Sequence, residues 1–99
     1  MYLDNYIKEI KELCRKNSVK SLYAFGSVLT DRFGKESDID LVVDISSDDP
    51  LEYGRKYFDL KFTLEDLFKR KVDLLESTEI RNPYFLQELA ETQALIYGS

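Results

Sequence analysis

Gly26 and Ser27 close one apolar run, and after ten intervening residues Asp38-Ile39-Asp40 opens another. These residue types at this spacing can hold a metal-bound nucleoside triphosphate. Tyr23-Ala24-Phe25 reads as the end of a buried strand, and Gly26 lets the backbone turn sharply and approach a ligand closely. Ser27 then offers a hydroxyl and a backbone N–H at the start of a short helical turn, where phosphate binds readily. Asp38 and Asp40, two residues apart, share one face of a strand. Carboxylates side by side repel each other, and a divalent cation turns that repulsion into a binding site. Each feature also has an ordinary reading: a strand-to-helix turn with a serine cap, or solvated charges where a strand begins. Aspartate is depleted within strands, however, so two on one face ask for a reason.

The elements that must position these groups follow from periodicity. Leu3, Tyr6, Ile7, Ile10, Leu13 and Cys14 recur at helical spacing and predict a helix over 3–17. Val19–Phe25 reads as the first strand and 38–45 as the second. In the second, Ile39, Leu41, Val43 and Ile45 face one way, and Asp38, Asp40, Val42 and Asp44 face the other. After the polar break Ser46-Ser47-Asp48-Asp49, Asp49 is placed to cap a helix, Pro50 to open it and Glu52 to complete a capping box. That helix is predicted over 50–69, burying Tyr53, Tyr57, Leu60, Leu64 and Leu67. Val72–Glu76 reads as a third strand. Asn82-Pro83 repeats the cap pattern before a helix through Phe85, Leu86 and Leu89, and 94–97 reads as a last short strand. One α/β (α+β) domain over residues 1–99 follows, a small mixed sheet with flanking helices.

Composition narrows the function. With 99 residues there is room for a modest core but not for a separate substrate-binding domain. A 43% hydrophobic and 13% aromatic content excludes a disordered chain. No apolar stretch has the length of a membrane span and Met1-Tyr2-Leu3-Asp4-Asn5 does not read as a signal peptide, so a cytoplasmic location is expected. Cys14 is the single cysteine and lines up with the helix's apolar face, as a core thiol would. Histidine is absent, which leaves carboxylates to do any proton or metal chemistry. A net charge of −5 argues against nucleic acid as the main ligand. Two basic clusters remain: Lys8, Lys11, Arg15, Lys16 and Lys20 along the first helix, and Lys69-Arg70-Lys71 at the expected end of the 50–69 helix. Solvation, and for the second cluster the helix dipole, account for both.

The Gly26-Ser27 pair, ten residues, then Asp38-x-Asp40 resembles the DNA polymerase β-like nucleotidyltransferases, and the chain from about Leu22 onward is similar to their smallest members, the minimal nucleotidyltransferase (MNT) domains. Those domains often act as the antitoxin partner of a helical HEPN toxin. The resemblance implies a polymerase β-like fold and a third carboxylate on a later strand, which Lys71-Val72-Asp73-Leu74-Leu75 supplies as Asp73. It further implies two magnesium ions, bridged by Asp38 and Asp40, with Asp73 completing the shell of one. Gly26 and Ser27 would hold the phosphates of ATP or another nucleoside triphosphate. Where many members carry basic residues after Gly-Ser, this chain has Val28-Leu29-Thr30-Asp31. Arg32 and Lys35 are then the nearest cations for the triphosphate, although they also suit a solvated turn around Gly34. The implied activity is transfer of AMP to a hydroxyl of a protein partner, with a HEPN tyrosine as acceptor. The alternative is a non-catalytic antitoxin that neutralises its partner by contact. Tyr84 and Phe85 could serve an interface, in a homo-oligomer or with such a partner.

Overall fold

The computed structural model describes residues 1–77 and 82–98, without the side chains of 85 and 88–91. A short 3-10 segment, Tyr2–Tyr6, leads into α1 (Ile7–Lys16); β1 (Val19–Phe25) runs into a second 3-10 turn, Gly26–Leu29. β2 (Ile39–Ile45), α2 (Pro50–Phe68), β3 (Val72–Glu76), α3 (Pro83–Thr92) and β4 (Ala94–Gly98) follow. The strands form one mixed sheet in the order β3-β2-β1-β4. β1 pairs antiparallel with β2 and β4, whereas β2 and β3 are parallel and are joined through α2, the long crossover that a parallel pair needs.

Alternation along β2 sets the polarity of the sheet. Ile39, Leu41, Val43 and Ile45 are buried, with Asp40 and Asp44 half-exposed on the other face. Val42, on the acidic face, is buried too. α1 and α2 cover the apolar side: Leu3, Ile10 and Cys14 from the first helical region, and Leu60, Leu64 and Phe68 from α2, join one cluster with Leu22, Ala24 and Val72. Phe68 lies outside the set of residues expected in the core, and Tyr53, Tyr57 and Leu67 are only partly buried. Burial pushes the Cys14 thiol up to about 12, as befits an inert core sulfur.

Three local departures from expectation have clear causes. The predicted 3–17 helix begins as 3-10, with the chain's amino group on the Asp4 carboxylate at 3.0 Å. β2 begins at Ile39, one residue later than expected, because Ser37 closes a tight turn onto Gly34 just before it. At the start of α2 the Asp49 side chain accepts the Leu51 N–H at 3.1 Å, as a cap should, while the Glu52 carboxylate stands 3.6 Å from Arg55 and Lys56. Asn82 likewise caps α3, accepting from the Tyr84 N–H at 2.9 Å. Tyr84 itself is 83% exposed; the Phe85 and Leu89 side chains lie outside the described residues.

Candidate active site

β1 ends at Phe25, which is the register partner of Asp40 on β2; Asp40 in turn is the register partner of Asp73 on β3. Sheet pairing therefore brings Gly26, Asp40 and Asp73 to one edge of three adjacent strands. Gly26 has φ +78°, a left-handed conformation that side chains other than glycine's rarely adopt. It is also in close quarters: a Cβ there would lie 2.6 Å from Asp40 Oδ2. Glycine is needed at this position for both reasons, and the second ties the turn directly to the carboxylate.

The electrostatics mark the same spot. Partial burial raises the Asp40 carboxyl above the ordinary aspartate range, and the charges of Asp73 and then Asp38 raise it further. Asp38 and Asp73 are both exposed. Asp38 immediately precedes β2, and its charge acts on the Asp40 carboxyl. Among the described residues, no group of three His, Cys, Asp or Glu side chains is arranged to hold a metal ion. The donors are nonetheless of the right chemistry, because a set made only of carboxylate oxygens suits a hard cation such as magnesium. The room that Gly26 leaves is taken up by the Asp40 carboxylate, which sits directly against the turn.

Ser27 is half-buried at the start of the 3-10 turn, where its carbonyl accepts from both the backbone and the hydroxyl of Thr30, each at 2.9 Å. Arg32 and Lys35 are exposed in the following loop, and the structure brings neither against the carboxylates. A separate polar hollow of about 490 Å³ lies at the opposite end of β1, lined by Lys16, Asn17, Ser18, Arg55, Lys56 and Asp59 among others. Its polar groups are paired with one another: Asn17 donates to Asp59 at 2.9 Å, and Lys56 to Ser18 at 3.0 Å.

The match to known proteins covers nearly all of the chain. The family described as polymerase beta nucleotidyltransferase fits residues 8–99. The chain belongs to this family. Its fold is that of the polymerase β-like nucleotidyltransferases and its activity class is nucleotidyl transfer. Two relatives from Methanocaldococcus jannaschii, each named a putative protein adenylyltransferase, are 38% identical over 96 residues and 37% identical over 100. Each alignment spans 92% of this chain, with 93% and 96% of the relative. The solved structure of a putative minimal nucleotidyltransferase superposes with a TM-score of 0.76 at 22% identity, covering 94% of this chain and 91% of that one. A tri-AMPylated HEPN toxin in complex with its MNT antitoxin, from Shewanella oneidensis, matches with a TM-score of 0.66 at 20% identity, covering 97% of this chain and 72% of that one.

One residue beside the candidate site was not legible in the sequence. Arg70 was expected to be a solvated charge at a helix end. It is half-buried, and its guanidinium donates to the carbonyls of Gly34 and Ser37 at 2.8 and 3.0 Å. Nothing near it in sequence signals this, because both acceptors lie in the turn before β2.

Proposed function

We propose that this nucleotidyltransferase moves AMP from ATP to a tyrosine hydroxyl of a helical HEPN-type partner, as the antitoxin of a toxin–antitoxin pair. The observation that carries the reading is the sheet register that sets Asp40 beside Asp73 and against the turn that follows β1, with the charge of Asp38 acting on the same carboxyl. The whole-length relatives named for protein adenylylation support the reaction type. The solved complex of an AMPylated HEPN toxin with an MNT antitoxin supports the kind of partner, and a toxin–antitoxin structure with AMP-PNP supports the nucleotide.

In this reaction the acceptor oxygen bonds to the α-phosphorus of ATP, the bond from that phosphorus to the bridging oxygen breaks, and pyrophosphate leaves. Asp38, Asp40 and Asp73 are the residues that would hold two magnesium ions, which neutralise charge on the attacking and leaving oxygens. Asp73, exposed at the edge of the cluster, takes up the proton of the incoming hydroxyl. The Gly26 turn and the Ser27 N–H and hydroxyl grip the terminal phosphates, and Arg32 or Lys35 reaches them only by movement of their loop.

The test uses the protein together with its partner, magnesium and ATP labelled at the α-phosphate, beside an Asp38→Asn/Asp40→Asn double variant. Label on a partner tyrosine, lost in the double variant, is the expected result. Stable co-purification without label would replace this reading with neutralisation by contact.

A further inference from the structure

Arg70 occupies the short link between α2 and β3, three residues before Asp73. Its Nη1 donates to the carbonyls of both ends of the Gly34–Ser37 turn, at 2.8 and 3.0 Å. The turn is closed on itself, with the Ser37 N–H on the Gly34 carbonyl at 3.2 Å and the Gly34 N–H on the Ser37 Oγ at 3.0 Å. The guanidinium also lies 4.4 Å from the ring centre of Phe33 and 4.8 Å from that of Tyr2. Those rings are 5.0 Å apart and belong to an aromatic cluster with Tyr6 and Phe68. Next to Arg70, the Lys71 carbonyl accepts the Ile39 N–H at 3.1 Å. Asp38 is therefore flanked on both sides by bonds to residues 70 and 71: its preceding carbonyl is held by Arg70 and its following N–H by Lys71.

A helix-end charge would be expected to face the last carbonyls of its own helix or solvent. Lys69 and Lys71 are indeed exposed, and Lys69 forms the left-handed C-cap of α2. Arg70 does neither, since its acceptors are 36 and 33 residues away in sequence. A planar guanidinium can bridge two carbonyls while stacking on aromatic rings, and an ammonium cannot reproduce that combination.

We propose that Arg70 is a positioning residue, clamping the turn that carries Asp38 to the segment that carries Asp73. The role presupposes the nucleotidyl-transfer reading of the carboxylate cluster. Asp38 lies outside β2, so no ladder pairing fixes it as pairing fixes Asp40 and Asp73. The clamp supplies that constraint. Residues that orient metal-binding groups without touching the metal typically matter by about 10–100-fold in affinity or activity.

The test compares wild type, Arg70→Lys and Asp40→Asn by two readouts. One is binding of the manganese complex of a non-hydrolysable ATP analogue, followed by the manganese EPR signal. The other is hydrogen exchange at the amides of Ser37, Asp38 and Ile39 without metal. Arg70→Lys keeps the charge and is expected to weaken manganese–nucleotide binding at least about tenfold while speeding exchange at these three amides. Should Arg70→Lys fail to fold, Arg70→Gln is read in the same way, because its shorter amide stops short of the position from which Nη1 binds both carbonyls. A folded variant with wild-type binding and wild-type exchange overturns the proposal. Wild-type binding by Asp40→Asn removes the site itself and the Arg70 role with it. Loss in Asp40→Asn beside unaltered binding in Arg70→Lys removes only the role of Arg70.

Discussion

Replacing Gly26 by alanine tests the coupling between the turn and the carboxylate cluster. The substitution does two separable things. It forces a Cβ into a left-handed backbone at φ +78°, which costs about 1–2 kcal/mol. For a domain of this size each kcal/mol lowers the Tm by about 4–8 °C, so the variant still folds at low temperature. It also puts that Cβ 2.6 Å from Asp40 Oδ2, where ordinary contact begins at 3.4 Å. The carboxylate is the free end of a side chain and gives way more easily than backbone, so the clash is relieved by moving Asp40. A displacement on the order of 1 Å at a reacting centre costs about 100-fold in rate. The assay is AMP transfer from α-labelled ATP at a temperature where circular dichroism shows both proteins fully folded. The expected result is a loss of about two orders of magnitude in a protein whose stability has fallen only modestly. A folded Gly26→Ala protein that transfers AMP within about threefold of wild type would refute the reasoning, because Asp40 would then not depend on the space that Gly26 leaves.

Further predictions concern the charge cluster and its supports. The folded state raises the Asp40 carboxyl, so ionising it in the absence of metal weakens the fold as pH rises through the ordinary range near 3.9 and up to the raised value. Asp40→Asn is accordingly expected to be the more stable protein at neutral pH, by less than about 1 kcal/mol because the group is partly exposed, with the gap closing below about pH 4. Thermal melts across pH 3–8 decide this, and a less stable Asn variant at pH 7 contradicts it. In the same melts, magnesium with ATP should raise the Tm of wild type and leave that of Asp40→Asn unmoved. The Tyr57 hydroxyl donates to the Leu74 carbonyl next to Asp73, and Tyr57→Phe should lose about 1 kcal/mol in urea unfolding. Asp49→Ala, which removes the N-cap of α2, should lose about as much with transfer unchanged, and a drop in transfer at full folding would show that α2 does more than support β3.

Much of this arrangement was legible in the chain because it is local. Alternation in β2 announces which face is buried, and Asp49-Pro50 and Asn82-Pro83 announce two helix starts through caps that need only neighbouring residues. Gly26 was legible as a turn, but its contact with Asp40 was not, since that depends on the β1–β2 register. The position of Asp38 shows the limit of periodicity. Spacing of two marks the pair of carboxylates, but the Gly34–Ser37 turn beside Asp38 is held by Arg70, more than thirty residues further along the chain. Phe68 and Arg70 were misjudged for the same reason. Each looked like part of a helix end, and each is defined by aromatic rings and carbonyls brought from Tyr2, Phe33 and the turn before β2.

The parallel pairing of β2 with β3 has a bearing on how the protein assembles. The β1–β2 hairpin can close early, bringing Gly26 against Asp40 from nearby in the chain. Asp73 arrives only when α2 has formed and carried β3 across to lie beside β2. Non-local steps of this kind come with a chain-closure penalty and are the slow ones. Here the closing step also drives like charges together. A half-folded chain would thus possess the turn and two of the three carboxylates yet be unable to act, and a cation captured at the end would work as a latch, slowing the reopening of a sheet whose own charges push it apart.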